Sequence, residues 1–356
     1  MPALRNLNVS RRDALLLAGA VAVTVAAGAV KGVGGVLAFA VAAVALALLA
    51  TCVGRAVEHM GDKVSPAMTG VLQSALGNLP ELLILVFALN KGLTSVVQAT
   101  IVGSILANVA LVLGVAFIVG GLRNGVQSFP GPVARDIGLT LMLAVAALAV
   151  PSLTSALHSP AAGHERALSV IVSVVLLLAF ALLLVFTLRG GGSAPAEESE
   201  RAVGWPLWLA IAVLAGTGVL AALASDWFVG ALEPAMDTLG ISDAFAGLVV
   251  VAIAGNAVEN VVGIQLAAKN KSEAALQVVL QSPIQIAMVV APVVLLAAPA
   301  LGAGGFTLVL PPLLLVALLL SALVAVLVTF DGESTWYEGV VLIALYVLLA
   351  ASFWWG

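Results

Sequence analysis

The stretch GNLPELLILVFALNKG, residues 77–92, occurs again in similar form as GNAVENVVGIQLAAKNK, residues 255–271. Each copy is followed by a further apolar run with polar residues at its centre. Under one offset of 178 residues four polar positions coincide: Asn78 with Asn256, Glu81 with Glu259, Lys91 with Lys269, and Ser104 with Ser282. Four such matches in one register indicate an internal repeat.

The composition around these stretches is that of a membrane protein. Of the 356 residues, 62% are hydrophobic and 9% are charged, and the mean hydropathy is +1.20. Such a chain cannot supply the polar surface of a soluble domain. The net charge of -4 and the lack of a basic block argue against nucleic acid as a partner. A single cysteine, Cys52, excludes a disulfide framework or a thiolate metal cluster within the chain.

Apolar runs of spanning length predict an all-α membrane protein with eleven transmembrane helices. The runs lie near 13–30, 34–57, 65–89, 94–121, 133–155, 165–188, 205–230, 242–268, 272–298, 305–330 and 336–355.

A polar, Gly- and Glu-rich linker at 189–204 divides the chain. We therefore expect an N-terminal segment with a first helix (1–33), a five-helix repeat (34–188), the linker, and a second five-helix repeat (205–356). Because each repeat has an odd number of helices, the two must have inverted topology.

The Lys and Arg residues predict the orientation in the membrane. If the N-terminus is cytoplasmic, eleven of them lie in cytoplasmic loops and three lie outside. Such a bias places the N-terminus and the linker in the cytoplasm and the C-terminus outside it. We expect an integral protein of a prokaryotic cell membrane, of undetermined oligomeric state.

Glu81 and Glu259 are the ionisable residues that these spans place well inside the membrane. A charged side chain there costs on the order of 3 kcal/mol or more unless it is paired, hydrated or protonated. Two such carboxylates in equivalent positions predict a cation-binding site. The alternative is that each glutamate is protonated and bonds a neighbouring helix as a packing contact.

The residues before each glutamate favour a broken helix. Gly77 and Asn78 precede Glu81 by one turn, as Gly255 and Asn256 precede Glu259. A broken helix frees backbone carbonyls for ion binding. Calcium takes six to eight oxygen ligands at about 2.3–2.6 Å. Two carboxylates, two asparagine amides, freed carbonyls and water supply that number, and two carboxylates balance a divalent charge.

The helices that follow the motifs carry further polar residues that we expect to line the ion pathway. Taken alone, such residues are more often helix-packing contacts than ligands. Together with the two glycines, the predicted lining is Gly77, Gly255, Ser104, Asn108, Gln281, Ser282 and Gln285. No HExxH, GxSxG or P-loop pattern is present, so an enzyme is not expected.

These motifs resemble those of the calcium/proton exchanger family, within the calcium/cation antiporter superfamily. The resemblance rests on RAVEHMG (55–61), GNLPEL (77–82), GSILAN (103–108), SDWFVGALEP (225–234), GNAVEN (255–260) and DGESTWYEG (331–339). It implies eleven helices in two inverted repeats and assigns ion binding to Glu81 and Glu259. Three features depart from the family pattern: Pro80, Asn260 where a His is usual, and QSPIQ at 281–285.

The expected function is secondary active antiport: calcium leaves the cytoplasm as protons enter, both bound in turn by Glu81 and Glu259. No cofactor is expected, and calcium and protons are the transported ions. Pro80 resembles the sodium/calcium branch, so a sodium/calcium or monovalent cation/proton exchanger on the same fold is the alternative. A passive channel is a further alternative, although channels usually assemble their ligands from several subunits.

Overall fold

The computed structural model describes residues 9–33, 35–61, 76–188 and 205–355, without the side chains of residues 61, 187–188 and 257–259. These residues are almost entirely helical. The helices are α1 (Arg11–Val30), α2 (Gly35–Gly61), α3 (Leu79–Asn90), α4 (Thr94–Asn124), α5 (Gly131–Ala156), α6 (Glu165–Leu188), α7 (Leu207–Leu239), α8 (Asp243–Gly255), α9 (Ala257–Ala268), α10 (Ser272–Leu301), α11 (Pro312–Thr329) and α12 (Trp336–Ser352).

Eight helices of the described residues are long and apolar enough to cross a membrane. Helices α8 and α9 together make a ninth, bent by 62°. The shorter helices α3 and α12 are also apolar. Three helices contain π-helical turns, at Ala107–Val112 in α4, Ala246–Val251 in α8 and Ile286–Val290 in α10.

Residues 65–75 of the run predicted at 65–89 lie outside the described residues, and two other predicted spans have different limits in the structure. The run predicted at 305–330 is helical only from Pro312, because glycines at 302, 304 and 305 and the pair Pro311–Pro312 keep the preceding chain extended. The run predicted at 205–230 continues as α7 to Leu239. Pro234 lies inside that helix, where Thr238 Oγ1 donates to the Pro234 carbonyl at 2.7 Å.

The extension of α7 also corrects the prediction that Glu81 and Glu259 are the only ionisable residues well inside a span. Asp226 lies within α7, thirteen residues before its end. Asp13 is a buried residue in the first turn of α1.

Helices α3 and α9 have the same limits under the 178-residue offset, and both end in the same turn. Gly92 has φ +80°, and Asn270, at the equivalent position, has φ +60°. The amide of each donates to the carbonyl three residues earlier, at 3.0 Å in both turns. The following amides, of Leu93 and Lys271, bond the carbonyls five residues earlier, also at 3.0 Å. A left-handed residue closing the C-terminus is a common way to satisfy the last carbonyls.

An extended segment follows α4 and another follows α10. The first strap, residues 125–130, contains β1 (Gln127–Ser128), which pairs antiparallel with β2 (Glu333–Ser334) between α11 and α12. The second strap, residues 302–311, runs from α10 to α11 and is bonded by side chains of α4, α5 and α6.

The described residues of Met1–Phe87 and Leu184–Gly240 form one compact unit, and those of Ala88–Leu183 and Ile241–Gly356 form another. In the first, α2 packs along α7, and Phe39 lies 4.5 Å from Phe228 between ring centroids. In the second, α4 packs on α8 at Gly103 and Gly247. A Cβ at Gly103 would overlap the backbone of Leu248, so the two helices approach this closely only with glycine there.

Candidate functional site

Glu81 lies in the first turn of α3 and is buried, with 1% of its surface exposed. Asn78, also buried, precedes the helix, and its carbonyl accepts from the Leu82 amide at 2.9 Å. Pro80 stands at the second position of α3, where a missing N–H costs no helical hydrogen bond. The sequence thus starts a helix at this point and holds a carboxyl away from bulk water.

The second motif has the break that the sequence predicts. Helix α8 ends at Gly255 and α9 begins at Ala257, with Asn256 between them at φ -108°, ψ 18°. The Asn260 amide donates to the Asn256 carbonyl at 3.1 Å, which closes the first turn of α9. The backbone of Glu259 lies in this turn, as Glu81 does in α3, and its side chain lies outside the described part of the chain.

Asn256 is the centre of a buried polar cluster. Its Nδ2 donates to Ser104 Oγ at 3.1 Å and to the Ala252 carbonyl at 3.0 Å. Its Oδ1 accepts from Ser282 Oγ at 3.2 Å. The two serines are the pair that the 178-residue offset makes equivalent, and they come from α4 and α10. Three broken or π-containing helices therefore meet at one amide.

The other predicted pathway residues lie at or near helix ends and π-helical turns. Asn108 is buried within the π-helical turns of α4 and donates to the Ser104 carbonyl at 2.9 Å. Gln285 is buried at the start of the π-helical turns of α10, and Gln281 is half-buried one turn earlier. Gly77 lies two residues before the start of α3, and Gly255 is the last residue of α8. Both are half-buried. The structure thus brings Asn256, Ser104, Ser282 and Asn108 into one connected group.

The chemistry of this group is that of neutral oxygen donors. An amide oxygen that accepts one hydroxyl keeps a lone pair for another partner. Among the described side chains no group of three or more His, Cys, Asp or Glu residues could hold a metal ion. Amide, hydroxyl and backbone carbonyl oxygens are among the ligands that hard cations take.

Comparison with known proteins assigns the chain to a family. The model of the family described as "Sodium/calcium exchanger protein" matches residues 34–189 and 209–355. The chain belongs to this sodium/calcium exchanger family. The two matched stretches lie on either side of the predicted linker.

Named relatives match this family member over most of its length. It is 34% identical over 338 residues to the Ca(2+)/H(+) antiporter of Aphanothece halophytica, covering 88% of this chain and 89% of that protein. It is 34% identical over 323 residues to the Ca(2+)/H(+) antiporter ChaA of Bacillus subtilis (strain 168), covering 88% and 91%. The structure of native YfkE matches with a TM-score of 0.80 and 32% identity, over 96% of this chain and 99% of that one.

Gln98, a further polar residue of α4, has a structural role in this exchanger-family chain. Its Nε2 donates to the Thr307 and Val309 carbonyls at 3.0 and 2.9 Å. Both amide protons are therefore committed to the second strap, and Gln98 is a support for that strap.

A charged cluster that the sequence did not predict joins α1 to α2. Arg55 donates through Nε and Nη2 to Asp13 Oδ1 at 3.0 and 2.8 Å, and Glu58 accepts from Arg55 Nη1 at 2.7 Å. Arg55, Glu58 and His59 share one end of α2, which is visible in RAVEHMG. Their partner Asp13 is 42 residues from Arg55, and no spacing rule could connect the two.

Proposed function

We propose that this chain is a secondary active antiporter that exports calcium from the cytoplasm in exchange for protons. The observation that carries the proposal is the match, over 88% of the chain, to proteins named Ca(2+)/H(+) antiporters. The buried carboxyl of Glu81, at the start of an apolar helix, supports it from the structure.

The proposed site uses Glu81 and Glu259 for the cation and for the protons, with Asn78 and Asn256 as further ligands. Gly77, Gly255, Ser104, Asn108, Gln281, Ser282 and Gln285 line the pathway. Calcium bound between two carboxylates is neutralised, and protons that replace it neutralise the same carboxyls. The site can therefore change the side to which it opens without a large net charge in either form, which lowers the cost of burying charge within the membrane.

The proposed architecture is eleven transmembrane helices, with repeats at 34–188 and 205–356 that follow the segment 1–33 and are separated by the linker 189–204. Eight long apolar helices, the bent α8–α9 pair and the shorter α3 and α12 support this count. The matching limits of α3 and α9 support the repeat. Five helices per repeat would give the two copies opposite orientation, so that the site opens to one side at a time without ATP.

The proposed orientation places the N-terminus and the linker in the cytoplasm and the C-terminus outside, in a prokaryotic cell membrane. Its support is the distribution of Lys and Arg residues. A cysteine at Ser193, in the linker and outside the described residues, tests it. In a Cys52→Ala background, this cysteine should resist impermeant thiol reagents in intact cells and react after the membrane is opened.

Flux in liposomes tests the proposed function. Purified protein is reconstituted in sodium-free buffer with a calcium indicator inside, and a pH step is imposed. Calcium should move in response to the proton gradient with the parent and not with Glu81→Gln. A matched control is Glu333→Gln, which changes an exposed carboxylate.

The second candidate function is sodium/calcium exchange, which Pro80 in the first motif favours. The same liposomes distinguish it. Calcium flux that ignores the pH step and starts only when sodium is added would replace the proton-coupled proposal with this one. Flux that needs neither ion gradient would indicate a channel.

A further inference from the structure

One titratable cluster of the first unit has no part in the proposed transport site. It joins Asp13 of α1, Arg55, Glu58 and His59 of α2, and Trp205, which precedes α7. Asp13 is buried, with 3% of its side chain exposed. A carboxylate so withdrawn from water needs partners for both oxygens.

The two carboxylate oxygens of Asp13 have different partners. Oδ1 accepts two hydrogen bonds from the Arg55 guanidinium. Oδ2 accepts from Ser10 Oγ at 2.7 Å and faces His59 Nε2 at 3.5 Å. The imidazole is thus placed beside a carboxylate oxygen at a distance that a slight approach would turn into a hydrogen bond.

The net charge of the cluster favours the binding of one proton. Arg55 is shared between Asp13 and Glu58, so two carboxylates face one guanidinium. With a neutral imidazole the group carries one net negative charge, and with a protonated His59 it carries none. Arg11 and Arg12 on α1 are exposed, and the acidic residues of α7 begin only at Asp226, nineteen residues into that helix. Asp62, Lys63 and the linker charges lie outside the described residues.

The imidazole also contacts the segment that enters α7. Its ring stacks on Trp205, with centroids 4.4 Å apart and an angle of 21°. Trp205 is fully buried against Ala56, Met60 and Ala210. Within the described residues its Nε1 has no hydrogen-bond partner. A change of charge on His59 therefore acts on α1 through Asp13 and on the start of α7 through Trp205.

We propose that His59 and Asp13 form a second proton-binding site, separate from the transport glutamates, whose occupation holds α1 and the start of α7 against α2 and slows exchange. The His59 side chain is 14% exposed and lies near the C-terminal end of α2. Histidine is the side chain that changes charge near neutral pH. In the proposed orientation this end of α2 is on the cytoplasmic side, so acid cytoplasm would slow a transporter that admits protons. This inference rests on the proposed function.

Everted membrane vesicles test the effect on transport, because their outer face is the cytoplasmic face and its pH is set by the buffer. Calcium uptake by the parent and by His59→Gln is measured at the same inner and outer pH, so that the ratio of the two rates cancels the driving force. We expect equal rates at outer pH 8 and a variant about three- to fivefold faster at outer pH 6, the size of effect that a partly exposed ion pair allows. His164→Gln, which changes an exposed histidine, should follow the parent at both values.

Fluorescence of the purified protein tests proton binding without transport. A protonated imidazole stacked on an indole quenches its emission, so acidification should quench the parent more than His59→Gln or Trp205→Phe. A parent that fails to exchange calcium for protons would overturn the proposed function and leave this measurement valid. Quenching unchanged in His59→Gln, or a rate ratio that does not vary with outer pH, would overturn the second proton site.

Discussion

The two straps occupy corresponding places in the two halves of the chain and are held by different chemistry. The first strap is held by backbone pairing: Gln127 and Ser128 pair with β2, and the Phe129 amide donates to the Gly332 carbonyl at 2.8 Å. The second strap has no strand partner among the described residues. The carbonyls and amides of its residues 307–310 bond side chains instead.

Along residues 307–310 of the second strap, carbonyls bonded by a glutamine alternate with amides bonded by serines. Gln98 of α4 serves the Thr307 and Val309 carbonyls. On the other side, Ser169 accepts from the Leu308 amide at 3.1 Å and Ser152 from the Leu310 amide at 2.8 Å. Non-helical backbone in a membrane protein must be satisfied within the protein. The two halves of the chain therefore have an extended segment at the same position, but different residues supply the hydrogen bonds to its backbone.

The two glutamates give the largest expected effect, and they test whether the halves are equivalent at the site. We expect Glu81→Gln and Glu259→Gln each to abolish proton-driven calcium flux in liposomes, because either change removes half of the compensating charge and keeps the side-chain shape. Size-exclusion chromatography verifies that each variant is folded. Transport by one variant at the parent rate would mean that only the other glutamate is essential.

Substitution of Gly103 by alanine should destabilise the protein more than the same substitution of its counterpart, Gln281. A Cβ at Gly103 overlaps the backbone of Leu248, so we expect Gly103→Ala to lower the free energy of unfolding by about 1–3 kcal/mol, as overpacking does. Gln281 is half-buried, and Gln281→Ala should cost less. Thermal melting in detergent compares the two. Equal losses would show that close approach of α4 and α8 does not depend on glycine.

Replacing the glutamine that bonds the second strap should destabilise that strap more than replacing the glutamine of the first strap destabilises the first. Gln98→Leu leaves the Thr307 and Val309 carbonyls without their donor and should cost about 1–3 kcal/mol. Gln127→Leu removes donors to Ala267 and Asn270 but leaves the pairing of β1 with β2 intact. Hydrogen exchange should therefore quicken more at the Leu308 and Leu310 amides in the first variant than at Phe129 in the second. The reverse order would contradict the role assigned to side chains in the second strap.

The sequence predicted what its repeated motifs encode: a break at Gly255 and Asn256 is present, and so are apolar helices over most of the predicted runs. It did not predict the second strap, because FTLVL is as apolar as a helix and satisfies its backbone through serines and a glutamine far along the chain. It also ended α7 too early, since Pro234 usually marks a helix end and is here accommodated within one. The roles of Glu81 and Glu259 stay predictions.

The smallest expected effect concerns Asn260, which stands where the first half has Leu82. The family motif usually has a histidine at this position, and asparagine cannot titrate. Protons, if carried, must then be carried by the glutamates, and coupling should not need an imidazole. Asn260→His places a titrating group beside Glu259, so it should shift the pH dependence of calcium flux in sodium-free liposomes without creating coupling. Asn260→Gln, which adds bulk without a titrating group, should keep the parent profile. A parent that ignores the proton gradient and transports only with sodium would contradict this prediction and favour the sodium-coupled alternative.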